Sequence, residues 1–484
     1  MYICFATYND RDDINSKGFS ALKMWVNWSM LLIVVSAMFT SYSLLLLFFA
    51  LVQVILRERL VLHWLHKIFL SVGVIFGFLL LAGICYMWKQ EVPTIPLSLQ
   101  ATGPFLQFGA VGALTLLSSF VFHAFTVAQR GSKFLIAAAF FVVSAAIFLW
   151  PLFIKSPCLI SVTNLPDKPK LIGHRGAPML APENTMMSFQ KSIECGVTAF
   201  ETDVQVCNDG IGFLMHDHNE GFLERTTNIK QKFPNIYLPN SSYVNFTFLR
   251  GLNAGEWFLK TDPFNSIHLL SKEEKETARN QIIPSLLELL QLAKNHSISV
   301  IFDLYSSGRD DVERTLETIL SSGIDHHLIY WLPPINRSYV KRRAPGFIQI
   351  YNNESEMTDE GAHHLNMMYN NLSTEKIREL RSKNISVNLW TVNERWLFSL
   401  LWCAGASSVT TNSCHLLKDM EQPHWTMEPS TYRTIWIVVN ISSILIMIFL
   451  CILQQKLYCF GQKQETQNNN SLWKEMLSLT GNPA

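Results

Sequence analysis

Leu171-Ile-Gly-His-Arg-Gly-Ala-Pro178 is continued by Ala181-Pro-Glu-Asn-Thr185, Phe200-Glu-Thr-Asp-Val204 and Phe213-Leu-Met-His-Asp217, and the rest of the chain can be read outward from these pieces. Each polar cluster follows a short apolar run that reads as a strand. Side chains two apart on a strand face the same way, so Glu201 and Asp203 can reach one ion together. His174-Arg175 and His216-Asp217 fall where strands at 171–173 and 213–215 would end. A parallel barrel carries its chemistry at such C-terminal strand ends. A hard divalent cation flanked by two histidines is equipment for working on a phosphate ester.

The same rhythm runs on from residue 171 to about 417. Strands are expected at 199–206, 212–215, 299–304, 327–332, 347–350, 387–392 and 408–411. Helices fit 283–294, 311–321, 374–383 and 394–404, and another carries Phe189 and Ile193 after Thr185. Repeated strand–helix units over roughly 250 residues suit one α/β domain, a TIM (β/α)8 barrel. Residues 225–282 lack this rhythm and read as an inserted loop subdomain over the catalytic end. Asp303 closes the strand Val300-Ile-Phe-Asp-Leu304, and a third carboxylate there can complete an oxygen site for Mg²⁺ or Ca²⁺ with Glu201 and Asp203. Two histidines can share general base and general acid work, and Arg175 suits bidentate contact with phosphate. Single residues of these kinds are usually surface polar groups. Six of them at the ends of three strands are hard to explain that way.

Composition places this domain in a membrane protein. Of 484 residues, 49% are hydrophobic and 16% charged, against about 25% charged in soluble proteins. The deficit is confined to the first third and one late window. Apolar windows of about 20 residues, long enough to span a bilayer, occur at 30–56, 68–88, 105–127 and 134–154, with a fifth at 435–453. Arg57, Arg59 and Lys67 separate the first two, and Arg130 and Lys133 the third and fourth. Basic loops belong in the cytosol, so the N-terminus, the 89–103 loop and the central domain are expected outside it. Lys456 and Lys463 agree with a cytosolic tail. Acceptor sequons at Asn240, Asn245, Asn295, Asn336, Asn353, Asn371 and Asn384 all lie in the central domain, on the side open to glycosylation. Asp10 to Asp13 interrupts the N-terminus before any apolar run, so the first span itself acts as the signal.

The expected organisation is an exoplasmic segment at 1–29, four spans within 30–155, an exoplasmic barrel at 156–425, a fifth span at 435–453 and a tail at 454–484. This is an integral protein of the plasma membrane or an endomembrane, with its catalytic domain extracellular or lumenal. A formal net charge of +1 gives no argument for nucleic acid. The nine cysteines lack paired short spacings and argue against a zinc site. Paired intramembrane charges and inverted repeats, the marks of a transporter, are not apparent. His123 in the third span and Asn440 and Ser442 in the fifth are expected to bond neighbouring helices.

His-Arg-Gly-Ala-Pro, Ala-Pro-Glu-Asn-Thr, Glu-Thr-Asp and Met-His-Asp together resemble the glycerophosphodiester phosphodiesterase family. Glu224-Arg-Thr-Thr-Asn228, Leu252-Asn-Ala-Gly255 with Trp257-Phe258, Ile283-Pro284 and Leu389-Trp-Thr-Val-Asn393 add to the likeness. With Leu62-His-Trp-Leu-His-Lys67 and Ser156-Pro-Cys158, the chain is similar to the multi-span mammalian branch. The resemblance implies a TIM barrel that hydrolyses glycerophosphodiesters with a divalent cation. It implies His174 and His216 as the acid/base pair, Glu201, Asp203 and Asp303 as metal ligands, and Trp390 on the glycerol side of the pocket. In the family's mechanism the glycerol 2-hydroxyl attacks phosphorus, and water then opens a cyclic phosphate. Expected substrates are glycerophosphoinositol, glycerophosphocholine or lipid-linked head groups such as GPI anchors, with an alcohol and glycerol phosphate or a head-group phosphate as products.

Three departures stand out. A lysine usually follows the third carboxylate by two residues, and here that position is Tyr305. A cation missing beside the phosphate weakens transition-state stabilisation, which keeps open the alternative of a catalytically weak binding or signalling protein. Asn412 stands where the family often has an acid. The branch usually has five spans before the barrel and four are found here, an even count that matches an N-terminus on the barrel's side.

Overall fold

A computed structural model of the chain describes residues 1–484 apart from 23, 24, 57, 60, 220, 306–308 and 481–484. The chain divides into two units. One holds Met1–Val35, Gly83–Ala101 and Val162–Thr426; the other holds Ser36–Ala82, Thr102–Ser161 and Met427–Ala484.

The first unit is built on strands β1 (Lys170–His174), β2 (Ala199–Val206), β3 (Gly212–Leu214), β4 (Ser299–Leu304), β5 (Ile329–Trp331), β6 (Ile348–Gln349), β7 (His364–Met368), β8 (Ser386–Trp390) and β9 (Ser408–Thr411). Eight of them pair in the parallel order β6-β5-β4-β2-β1-β9-β8-β7. The open edge is drawn together at a parallel bridge between Tyr351 and Leu365, where the Tyr351 amide donates to His364 O at 3.0 Å. The nearly closed ring is the TIM barrel that the strand–helix rhythm implies. Apolar side chains fill the packing around the strands, with Phe189, Phe200, Val300, Phe302, Trp331 and Leu389 at 0% exposure.

Local signals fix the helices around it. Thr185 caps Met186–Glu194 through its hydroxyl, and a Ser285–Glu288 capping box opens Leu286–His296, each satisfying amides that the first helical turn leaves free. A disulfide joins Cys195, at the end of the first of these helices, to Cys414 just after β9.

Two elements differ from the sequence expectation. The run at 212–215 is not a barrel strand: β3 folds back antiparallel on β2, pairing Leu214 with Val204 and Gly212 with Val206. In its place the ring takes β7, His364-Leu-Asn-Met-Met368, which hydrophobic pattern does not reveal. Asn366 on that strand is buried inside the barrel and accepts from Asn388 Nδ2 at 2.7 Å. Residues 225–282 do form an insertion of short helices, Ile229–Lys232, Phe246–Arg250, Glu256–Thr261 and Lys272–Arg279. Its Ile229, Leu249 and Leu252 pack with Phe213 and Met215 of the β3 hairpin in a core of their own.

Helices Trp28–Leu56, Trp64–Met87, Thr94–Val127, Arg130–Leu149 and Pro429–Thr480 match the five expected spans, and each holds a stretch long and apolar enough to cross a membrane. The third begins at Thr94, earlier than residue 105, and carries Pro104 inside it. Polar side chains pair between helices of the second unit, as satisfied groups in a lipid-facing bundle must. Gln107 donates to Asn440 at 3.2 Å, Thr115 meets Ser443 at 2.7 Å, and Trp436 donates to Phe148 O at 2.9 Å. The residue used on the fifth span beside Asn440 is thus Ser443, whereas Ser442 is exposed. His123 is exposed too and makes no side-chain hydrogen bond among the described residues, contrary to the expectation of a bonded histidine. Arg57 and the Lys463 side chain lie outside the described residues.

Candidate active site

Register builds the site. Parallel pairing sets His174 beside Glu201 and Asp203 beside Asp303. Glu201 and Asp203 share a strand face, so these four side chains gather at the C-terminal mouth of β1, β2 and β4. The β3 hairpin then returns the chain to this mouth: the Met215 amide donates to Asp203 O at 3.0 Å, which delivers His216 next to the carboxylates. His216 therefore arrives from a returning hairpin and not from the end of a barrel strand.

Arg175 enters through a tight turn. Its own φ is 53° and that of Gly176 is 86°; a Cβ at Gly176 would lie 2.5 Å from the Ser188 backbone, so only glycine fits. The turn aims the Arg175 guanidinium inward, Nη1 donating to Glu183 at 3.1 Å and Nε standing 3.2 Å from Asp203 Oδ2. Asn184 Nδ2 also donates to Asp203, at 2.9 Å. A second arginine completes the cluster. Arg225 from the insertion donates to Asp217 at 2.8 and 3.1 Å and to Glu183 at 2.6 and 2.9 Å. Glu183, Asn184, Asp217 and Arg225 have no site role in the sequence reading, although all four sit inside quoted motifs. A buried guanidinium requires carboxylates, and the acidic residue in each motif was the available signal.

The two histidines are set differently. Asn412 Oδ1 accepts from His174 Nδ1 at 2.5 Å, which leaves Nε2 as a free acceptor 3.8 Å from Glu201. Burial, and then the Arg175 charge, push His174 down to about 4, so it is a neutral imidazole at pH 7. His216 pairs through Nδ1 with Asp217 at 3.0 Å and is edge-on to Tyr305, centroid to centroid 5.5 Å. Tyr305 also stacks on His218 at 4.4 Å. Burial followed by Asp203 pushes the Tyr305 phenol up, so the residue in the lysine position is a neutral ring that braces His216.

The carboxylates repel one another. Burial and then Asp203 push Glu201 well above the usual range, and the same two causes push Asp303 up to about 6. Asp203 itself is held low, because Arg175, His216 and Asn184 outweigh its burial. Around the mouth Asp12, Glu183, Glu201, Asp203, Asp217 and Asp303 lie within electrostatic reach of one another or of Arg175 and Arg225, the two fixed cations among the described residues there. Among the described residues no three acidic or imidazole groups already stand in ligating geometry, since Asp203 is turned toward Arg175. The donor set nevertheless fits a hard divalent cation: oxygen ligands on paired strands, with more negative charge than the arginines neutralise.

Trp390 ends β8 at 37% exposure, on the same end of the barrel, and its carbonyl accepts from the Tyr369 amide at 2.8 Å. Of the sequon asparagines, Asn245, Asn295, Asn353, Asn371 and Asn384 are exposed, while Asn240 and Asn336 are half-buried.

The chain is similar over most of its length to known proteins. The profile described as the Glycerophosphoryl diester phosphodiesterase family matches residues 174–317, and a second of the same description matches residues 386–413. Human Glycerophosphoinositol inositolphosphodiesterase GDPD2 is 42% identical over 94% of this chain and 85% of its own length. Human Glycerophosphodiester phosphodiesterase domain-containing protein 5 is 39% identical over 94% of this chain and 76% of that protein. Domain-containing protein 4 of Macaca fascicularis is 35% identical over 96% and 79%.

Proposed function

The chain belongs to the glycerophosphodiester phosphodiesterase family, and from that premise we propose that it hydrolyses glycerophosphodiesters outside the cytosol with a divalent cation. It is a phosphodiester hydrolase with membrane-spanning helices. The observation that carries the finer reading is the meeting of His174, His216, Arg175 and three carboxyl groups at one barrel mouth.

In this reading Glu201, Asp203 and Asp303 hold Mg²⁺ or Ca²⁺, which supplies charge neutralisation at the phosphoryl oxygens. Arg175 orients the phosphate through its two-nitrogen fork. His174, neutral and with Nε2 bare, takes the proton of the glycerol 2-hydroxyl as that oxygen bonds to phosphorus. His216 gives a proton to the departing alcohol oxygen as its bond to phosphorus breaks, and Asp217 balances the imidazolium. Water then opens the cyclic phosphate with the two roles exchanged, leaving an alcohol and glycerol phosphate. Attack from a head-group hydroxyl beside the ester would instead release glycerol and a head-group phosphate. The printed name of the 42%-identical human relative makes glycerophosphoinositol the first substrate to test, with glycerophosphocholine and lipid-linked head groups after it. Trp390 lines the glycerol side.

Orientation rests on four supports. Loop charges favour a cytosolic position for 57–67 and 130–133. The N-terminal residues and the barrel share one unit with four apolar helices between them, an even number of crossings. The Cys195–Cys414 disulfide suits an oxidising compartment, as do the sequons. Tyr305 favours a second reading, a barrel of weak turnover, because it adds no positive charge beside the phosphate. The full chain in detergent, with Mg²⁺ or Ca²⁺ and a panel of glycerophosphodiesters, should release product. Turnover no higher than that of His174→Ala overturns the first reading, and activity appearing only in Tyr305→Lys supports the second.

A further inference from the structure

The residues that precede the first span do not hang free. In the barrel unit, four consecutive residues reach the loops after four different strands. Asn9, at 0% exposure, uses most of its amide on the turn that follows Trp390, its Nδ2 also donating to Asp10 Oδ1 at 3.0 Å. Its Nδ2 donates to Thr391 O at 2.9 Å, while Oδ1 accepts from the Asn393 and Glu394 amides at 2.7 and 3.2 Å. Its carbonyl accepts from Asn393 Nδ2 at 2.9 Å. Asp10 accepts from the hydroxyl of Tyr369, just past β7, and that hydroxyl also meets Thr94 at 2.7 Å. Arg11, at 4% exposure, donates to Glu394 at 2.7 Å and to the sulfur of Met179, in the loop after β1, at 3.4 Å. Asp12 lies within electrostatic reach of Glu183, Arg225 and Arg175, the charged cluster described above.

We propose that Tyr8–Asp12 is a wall of the substrate cleft and a determinant of substrate choice, with Asn9 the positioning residue for the Trp390 turn and Asp12 the group that meets the alcohol portion of the ester. The contacts are those of an integral part and not of a removable cover. The Asn9 side chain satisfies three backbone groups of this turn, with β9 holding only the Val392 amide among its backbone groups, at Thr410 O, and an amide that completes a turn in this way sets its conformation. Trp390, which that turn follows, stays 37% exposed at the end of β8. Asp12 makes no hydrogen bond among the described residues, so its oxygens remain available to donors on a bound polyol head group. A carboxylate there also disfavours a head group that brings further negative charge. This inference rests on the hydrolase reading for its substrate, but not for its geometry.

Two measurements on the full chain test it. The first needs no turnover: hydrogen exchange, in detergent micelles, of the Asn393 and Glu394 amides that donate to Asn9. Slow exchange in the wild type, faster by roughly 10-fold or more in Asn9→Ala for the loss of several buried hydrogen bonds, is expected, with partial recovery in the near-isosteric Asn9→Asp. Fast exchange in the wild type, or no change in Asn9→Ala, overturns the docking. The second compares kcat and KM on glycerophosphoinositol and glycerophosphocholine. Asp12→Ala should raise KM for the polyol ester several-fold with little change in kcat, and so shift the ratio of kcat/KM between the two esters. The exchanged pair Arg11→Glu with Glu394→Arg should recover activity that either change alone removes. A wild type that turns over while Asp12→Ala leaves that ratio unchanged overturns the specificity role. An increase in kcat for Asn9→Ala would show a cover instead of a wall and overturn the proposal. Absence of any wild-type turnover tells against the hydrolase reading, and with it the substrate-choice role, while the exchange result still decides the geometry.

Discussion

Arg225→Met offers the sharpest check on how the mouth is held together. Arg225 is a buried cation whose side chain is 10% exposed, bonded to Glu183 at 5% and Asp217 at 16%. Burial alone would raise the Glu183 carboxyl, yet Arg225 and then Arg175 bring it down from an ordinary 4.5 to about 2. At about 1.4 kcal/mol per pH unit, that displacement is worth about 3 kcal/mol. Removing one partner of a buried pair costs about 3–5 kcal/mol, so the two estimates agree. A unit of this size moves by about 2 °C per kcal/mol, and Arg225→Met should lower the melting temperature of the full chain in detergent by about 6–10 °C. Methionine fills similar space, so the loss reports stranded charge and not a cavity. Adding Glu183→Gln and Asp217→Asn to Arg225→Met should therefore recover at least half of it. The sign with pH also follows. A carboxyl held low in the folded state contributes fully above pH 4.5 and loses that contribution as the pH falls toward 2, so wild-type melting should decline below pH 4.5 and the variant's decline should be flatter. A melting temperature for Arg225→Met within about 2 °C of wild type would refute the ion cluster as the organiser of the mouth.

Three further outcomes are expected. Asn412→Ala removes the acceptor that orients His174, and the loss of one buried hydrogen bond of about 1 kcal/mol should lower kcat by about 5- to 10-fold with KM nearly unchanged, while Asn412→Asp should keep most activity; kinetics at pH 7 decide it. Docking of residues 8–12 should weaken as pH rises. Asp12 is pushed up to about 6 by burial and then Glu183, with Arg225 and Arg175 opposing and Asp13 adding, and Asp10 is raised by burial and then by Glu91, with Tyr369 opposing and Asp13 adding. A carboxyl raised on docking stabilises the docked form fully below pH 3.8 and loses that effect as pH climbs through about 6. Exchange of the 9–12 amides, corrected for intrinsic rate, should thus quicken between about pH 4 and 6, and a flat profile there counts against it. Glycosidase treatment of protein from cultured cells should produce a mobility shift that shrinks with Asn→Gln at the exposed Asn245, Asn295, Asn353, Asn371 and Asn384; an unglycosylated product would place the barrel in the cytosol.

Chemistry was more legible in the sequence than topology. The i, i+2 carboxylates Glu201 and Asp203 are readable because strand geometry alone forces them to one face, and Asp303 follows from its place at a strand end. β7 is not readable, because its interior residue is Asn366 and a polar interior erases the periodicity that marks a strand. β3 misleads in the opposite way: a short apolar run looks the same whether it continues a barrel or turns back on its neighbour, and only the pairing with Val204 distinguishes them. Arg225 is separated from Arg175 by 50 residues, and its role depends on an insertion whose path short-range patterns do not encode. Tyr8–Asp12 was legible only as an acidic interruption before the first span. Its meaning lies in contacts with residues more than 350 positions away.

The Cys195–Cys414 bond also has a mechanical consequence. The barrel portion enters at residue 162 and leaves at 426, and apolar helices precede the one and follow the other. The disulfide bond closes 196–413, the stretch that carries β2 to β9, into one covalent loop. Loss of the pairing between β1 and β9, where Leu171 faces Val409, would therefore leave the first and last staves of the ring tied to each other through sulfur.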